Sequence, residues 1–120
     1  MKKILIVDDE PNIIMSLEYA LQKNGFEVFV ARDGQEALDI LKKKVPDLVL
    51  LDIMMPNVDG YETLQKIKEN EKLASVKVLF LSAKNKENDI EKGLSLGANL
   101  YITKPFSLKK LVEKVHELIN

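Results

Sequence analysis

The chain contains no cysteine. That absence removes disulfides, thiolate metal sites and a cysteine nucleophile from consideration. No apolar run approaches the length of a transmembrane helix, and Met1-Lys2-Lys3 is followed by only four apolar residues, too few for a signal peptide. There is no basic stripe: 18 lysines and arginines face 19 acids, for a formal charge of -1. Direct nucleic-acid binding is therefore disfavoured, and no membrane partner is indicated. The single histidine, His116, lies beside the apolar stripe of the last helix and reads as a solvated surface residue. Linkers, low-complexity tracts and internal repeats are also missing. What remains is a chain of 120 residues, 46% hydrophobic and 31% charged. It is expected to form one soluble, cytoplasmic domain over residues 1–120.

Within that chain one stretch stands out. The apolar run Leu48-Val49-Leu50-Leu51 stops at a carboxylate, Asp52, and a loop follows with Pro56 and Asp59-Gly60. A continuous apolar run between turn signals reads as a strand buried on both faces. Ile4-Leu5-Ile6-Val7, ending at Asp8-Asp9-Glu10, repeats the pattern. Further strands are expected at residues 28–31, 76–81 and 100–103. Helical spacing fills the intervals: Ile13, Ile14, Leu17 and Leu21 form the first stripe, closed by Asn24-Gly25. Asp33 with Glu36 opens the second helix, and Lys42-Lys43-Lys44 is placed in its last turn. A third helix begins near Gly60. The fourth, ending at Gly97, has the thinnest apolar stripe, and Ser107 caps the fifth. Strand and helix alternate five times, which argues a parallel sheet covered by helices on both faces.

A parallel sheet gathers the carboxyl ends of its strands on one edge, where open α/β folds bind ligands. The residues at those ends are Asp8-Asp9, Ala31, Asp52, Ser82 and Thr103-Lys104. Singly each has an ordinary explanation: Asp52 a turn residue binding its own loop, Asp9 a helix cap, Ser82 a loop hydroxyl, Lys104 a solvated side chain. Together they form one chemistry. Clustered carboxylates repel unless a cation sits among them, and all-oxygen ligands suit Mg²⁺. A lysine and a hydroxyl suit phosphoryl oxygens, and a carboxylate can accept the group as an aspartyl phosphate.

Asp8-Asp9, Asp52-Ile53-Met54-Met55-Pro56 with Asp59-Gly60, Ser82-Ala83 and Lys104-Pro105-Phe106 resemble the receiver domain of bacterial two-component response regulators, chemotaxis-regulator-like and either stand-alone or cut from a longer regulator. The resemblance implies a flavodoxin-like doubly wound sheet of five parallel strands, order 2-1-3-4-5, with five helices. It implies that Asp52 is the phosphoacceptor, filled from a sensor histidine kinase or phosphotransfer protein. Mg²⁺, with Mn²⁺ as substitute, would be held by Asp9 directly, Asp8 through water, Asp52, and the backbone carbonyl of Met54. Lys104, after a cis peptide to Pro105, would grip the phosphoryl group. Ser82 and Tyr101 would be the switch pair. Pro11, Ile14, Met15 and Phe106 would form a kinase-docking surface. Ala83 leaves the site open, and neither Met54 nor Lys84 is a general base for water, so slow self-dephosphorylation is expected.

The function implied is a phosphorylation-controlled switch, not a turnover enzyme, that alters its binding surface for a downstream protein or fused effector domain. Tyr101 has an alternative as a half-buried strand aromatic, and Ile14 as core. A phosphatase with an aspartyl-phosphate intermediate would use similar groups, but Met54 stands where a second acid is usually needed. A phosphorylation-independent interaction module on the same fold is the other competitor.

Overall fold

The apolar runs form the strands of a single sheet: β1 (Lys3–Val7), β2 (Glu27–Ala31), β3 (Leu48–Leu51), β4 (Lys77–Ser82) and β5 (Leu100–Thr103). The structure is a computed structural model that describes residues 1–120. All pairings are parallel, in the order β2-β1-β3-β4-β5. β1 beyond Lys3, all of β3, and β4 beyond Lys77 are buried. Side chains alternate across a strand with a period of two, so neighbouring residues enter opposite layers. Leu5, Val7, Val49, Leu51, Val78 and Phe80 face one core. Ile4, Ile6, Leu48, Leu50, Leu79 and Leu81 face the other.

Five helices cover these faces: α1 (Pro11–Lys23), α2 (Gly34–Leu41), α3 (Gly60–Glu69), α4 (Glu87–Ser95) and α5 (Leu108–Ile119). α1 and α5 bury Ile14, Leu17, Leu21, Leu111 and Val115 in one layer, and α2 and α3 bury Ala37, Leu41, Leu64 and Ile67 in the other. The result is the flavodoxin-like doubly wound fold. α4 buries only Gly93, as its thin stripe implied. No helix is long and apolar enough to cross a membrane.

Side-chain caps fix where the helices begin. Asp33 accepts from Glu36 N at 2.8 Å, Asp59 from Glu62 N at 2.9 Å, and Ser107 from Lys110 N at 3.2 Å. Gly60 serves the site directly. A Cβ there would lie 2.4 Å from the Asp52 carbonyl oxygen, so only glycine lets α3 start against the end of β3.

The structure departs from the sequence reading in four places. β2 begins one residue earlier, at half-buried Glu27, and β4 is shifted by one, taking in the buried Ser82 and leaving out Val76. α2 ends at Leu41, so Lys42-Lys43-Lys44 follows the helix instead of filling its last turn. A 3-10 turn at Glu71–Leu73 buries Leu73. His116 is not fully solvated: it is half-buried, its ring 5.0 Å from that of Phe26.

Candidate functional site

Strand register brings the polar residues together. Val7 pairs with Leu51 and Ser82 with Thr103, and the ladder runs one residue further: Asp52 N donates to Val7 O at 2.9 Å, and Lys104 N to Ser82 O at 2.8 Å. Asp8, Asp52, Ser82 and Lys104 therefore leave adjacent strands at one edge. Asp8 and Asp52 are almost fully buried and Ser82 is fully buried. The Lys104-Pro105 peptide is cis.

The Lys104 ammonium is the hub. It donates to Asp8 Oδ2 at 3.0 Å, Glu10 Oε1 at 3.2 Å and Asp52 Oδ2 at 3.5 Å. Burial alone would lower the Lys104 pKa, but its hydrogen bond to Asp8 and the charges of Asp52 and Asp8 raise it on balance. Burial raises the Asp52 pKa above its usual value. Lys104 opposes that rise and Asp8 reinforces it, while Met54 N donates to Asp52 Oδ1 at 3.3 Å. One oxygen from each of Asp8, Glu10 and Asp52 lies within 4.8 Å of the others. Three formal negative charges thus face one positive charge, a surplus of two. An all-oxygen donor set with that surplus fits a hard divalent cation such as Mg²⁺.

A second chain of contacts leads outward. Lys84 N donates to Ser82 Oγ at 3.3 Å, and the Tyr101 hydroxyl donates to Lys84 O at 2.7 Å. The Tyr101 ring lies 5.9 Å from Phe80, which lies 5.8 Å from Tyr61. Burial, with Tyr61 nearby, pushes the Tyr101 phenol up to about 12.

The structure places other expected residues differently. Asp9 is exposed, on the wall of a neighbouring groove of about 600 Å³ shared with Met54, Tyr61, Lys84 and Lys92. Glu10, which was not among the expected site residues, joins Asp8 and Asp52 in the acidic cluster. The chain bends at Asp9, and Glu10 N donates to Asp8 Oδ1 at 2.9 Å, an Asp-held turn that keeps Glu10 beside Asp8. The sequence signal for Glu10 is only its place in the acidic run Asp8-Asp9-Glu10. Of the docking residues, Pro11 and Met15 are exposed (Met15 66%) and Phe106 is half-buried. Ile14, only 6% exposed, packs in the core and offers no such surface.

A doubly wound sheet with two buried carboxylates, a hydroxyl and a lysine at its carboxyl edge defines the class: an α/β domain with a charged site where such sheets bind ligands. The family model described as the response regulator receiver domain matches residues 4–116, and the chain belongs to that family. The chain is 41% identical over 119 residues to the alkaline phosphatase synthesis transcriptional regulatory protein PhoP of Bacillus subtilis (strain 168), covering 99% of this chain and 49% of that protein. It thus spans about half the length of that curated relative. Among solved structures it resembles the chemotaxis protein CheY4 of Vibrio cholerae (TM-score 0.92, 29% identity, 98% of each chain). It also resembles the signal receiver domain of a signal transduction histidine kinase from Syntrophus aciditrophicus (TM-score 0.91, 32% identity, 99% of this chain and 90% of that one). Receiver domains are the phosphorylation switches of two-component systems.

Proposed function

We propose that Asp52 accepts a phosphoryl group from a phosphohistidine on a sensor histidine kinase or phosphotransfer protein, in a Mg²⁺-dependent reaction, in the cytoplasm. One Asp52 carboxylate oxygen attacks phosphorus. The P–N bond to the imidazole breaks, and its electron pair stays on the departing nitrogen. The observation that carries this reading is the Lys104 ammonium among the Asp8, Glu10 and Asp52 carboxylates. Burial raises the Asp52 pKa, which makes its carboxylate the more basic, and so the better, nucleophile. Asp8, Asp52, the Met54 carbonyl and Asp9, which lines the same groove as Met54, would hold Mg²⁺, with Mn²⁺ as substitute, leaving Glu10 to Lys104. When bound, the ion supplies neutralisation of the charge shared by the carboxylates and the phosphoryl oxygens.

Lys104 then donates to a phosphoryl oxygen. The Ser82 hydroxyl, now an acceptor for Lys84 N, turns to donate to another. That turn takes away the acceptor of Lys84 N, and the Lys84 carbonyl is the anchor of the Tyr101 hydroxyl. Ser82 and Tyr101 are thus linked through one backbone residue, and the surface of α4, β5 and α5 changes for a downstream protein or fused effector domain. On this reading the domain is a switch and not a turnover enzyme. Pro11, Met15 and Phe106 are the proposed kinase-docking residues.

Incubation with acetyl phosphate and Mg²⁺, followed by mass mapping, should add one phosphoryl group at Asp52, and none to Asp52→Asn. Labelling of another residue, or persistence of the adduct in that variant, would overturn the reading.

A further inference from the structure

We infer that Glu10 is a positioning residue whose carboxylate occupies one N–H of Lys104 in the unphosphorylated protein and yields it to an arriving phosphoryl oxygen. The inference rests on the assignment of Asp52 as phosphoacceptor.

An ammonium has three N–H groups to give. In this structure all three are engaged, by Asp8, Glu10 and Asp52. A phosphoryl group on Asp52 can bond Lys104 only by displacing one of them. The three bonds are not equally easy to break. Asp8 is buried, makes the shortest bond at 3.0 Å, and is pinned by Glu10 N on its other oxygen. Asp52 is buried and is itself the group that carries the phosphoryl. The Glu10 side chain is 56% exposed, and no donor other than Lys104 reaches its carboxylate. Released, it returns to water at little cost, whereas either aspartate would be left buried without its cation.

Glu10 therefore holds Lys104 at the mouth of the site and keeps the ammonium between the carboxylates until the phosphoryl group arrives. It also competes with that group, so its removal favours the phosphorylated state.

The test is a double-mutant cycle on the whole chain, with Mg²⁺ saturating and beryllofluoride as probe, followed by calorimetry. In the wild-type background Glu10→Gln should tighten beryllofluoride binding about twofold to fivefold, the range of an exposed ion pair. In the Lys104→Met background the same substitution should change nothing. No tightening, or weaker binding, with Lys104 present would overturn the inference, and so would equal tightening in both backgrounds, which would mark a through-space charge effect. If wild-type protein binds no beryllofluoride with Mg²⁺, the phosphoacceptor reading itself falls, and this inference with it.

Discussion

Asp52→Asn should make the metal-free protein more stable at neutral pH. Asp52 is 3% exposed, yet its partners are few: one backbone N–H at 3.3 Å and a share of Lys104 at 3.5 Å, an ammonium closer to both Asp8 and Glu10. A buried charged group so poorly compensated costs about 1–3 kcal/mol. Asparagine keeps the shape and the Met54 N–H acceptor while discarding the charge. With an unfolding entropy of about 2.1 cal/mol/K per residue, each kcal/mol moves the Tm of a chain this long by roughly 4 °C, so a rise of about 4–12 °C is expected. The pH dependence has a definite sign. Burial raises the Asp52 pKa above 3.8, so between the unfolded and folded values the native state holds more protons than the unfolded chain. Stability from this group is therefore complete below the unfolded pKa and falls as pH rises through the folded one. The advantage of the variant should vanish in acid. Saturating Mg²⁺ should also narrow it, by stabilising wild type more than the variant. Thermal melts in chelator across a pH series give the readout. An Asp52→Asn protein no more stable than wild type at neutral pH would refute the argument.

Gly93→Ala tests the seat of α4: the new Cβ would lie 2.9 Å from Phe80 Cδ2 and 3.1 Å from Tyr101 Cδ2. Urea unfolding should show a loss of about 1–3 kcal/mol from overpacking, despite the better helix propensity of alanine. Tyr101 should ionise at about 12, and Tyr101→Phe should delete that step from a phenolate absorbance titration. The phenol pKa is raised, so its stabilising contribution is complete below 10.0 and is lost as pH climbs towards about 12. Ile14→Ala should cost about 2–5 kcal/mol in urea unfolding as a core deletion. Met15→Lys should leave stability within about 0.5 kcal/mol, and it should slow phosphotransfer from a kinase without slowing labelling by acetyl phosphate.

The fold was legible because its signals are redundant. Leu48–Leu51 and Ile4 to Val7 are apolar on both faces, which only a covered parallel sheet accommodates, and Asp33 and Ser107 cap their helices where the pattern placed them. Convergence of Asp8, Asp52, Ser82 and Lys104 at one edge followed from strand ends alone. Three features stayed hidden. That Glu10 joins Asp8 and Asp52 depends on the bend at Asp9 just past β1, a matter of dihedral angles and not composition. The tilted contact between the His116 and Phe26 rings joins the last helix to the turn before β2, a pairing without local signature. The Tyr61, Phe80 and Tyr101 rings come from α3, β4 and β5, so only tertiary structure makes them neighbours.

The arrangement also decides which element an event at Asp52 can move. A phosphoryl group brings one to three charge-assisted hydrogen bonds, each worth about 1.5–3 kcal/mol. α1 buries Ile14, Leu17, Ala20 and Leu21, and α5 buries Leu111 and Val115. Releasing any one of the large ones costs about as much as one of those bonds gains, so freeing a whole face would consume the signal. α4 buries no side chain of its own: its one buried residue is a glycine, Leu94 is 44% exposed, and its other ties are Tyr61 OH to Asp89 O at 3.5 Å and the Lys92 ammonium 4.1 Å from the Tyr61 ring centroid. Weak holding by long contacts is what lets a signal of a few kcal/mol shift a helix without melting the domain. On the proposed mechanism, the glycine at 93 and the aromatic rings beneath it set how far phosphorylation of Asp52 would displace α4.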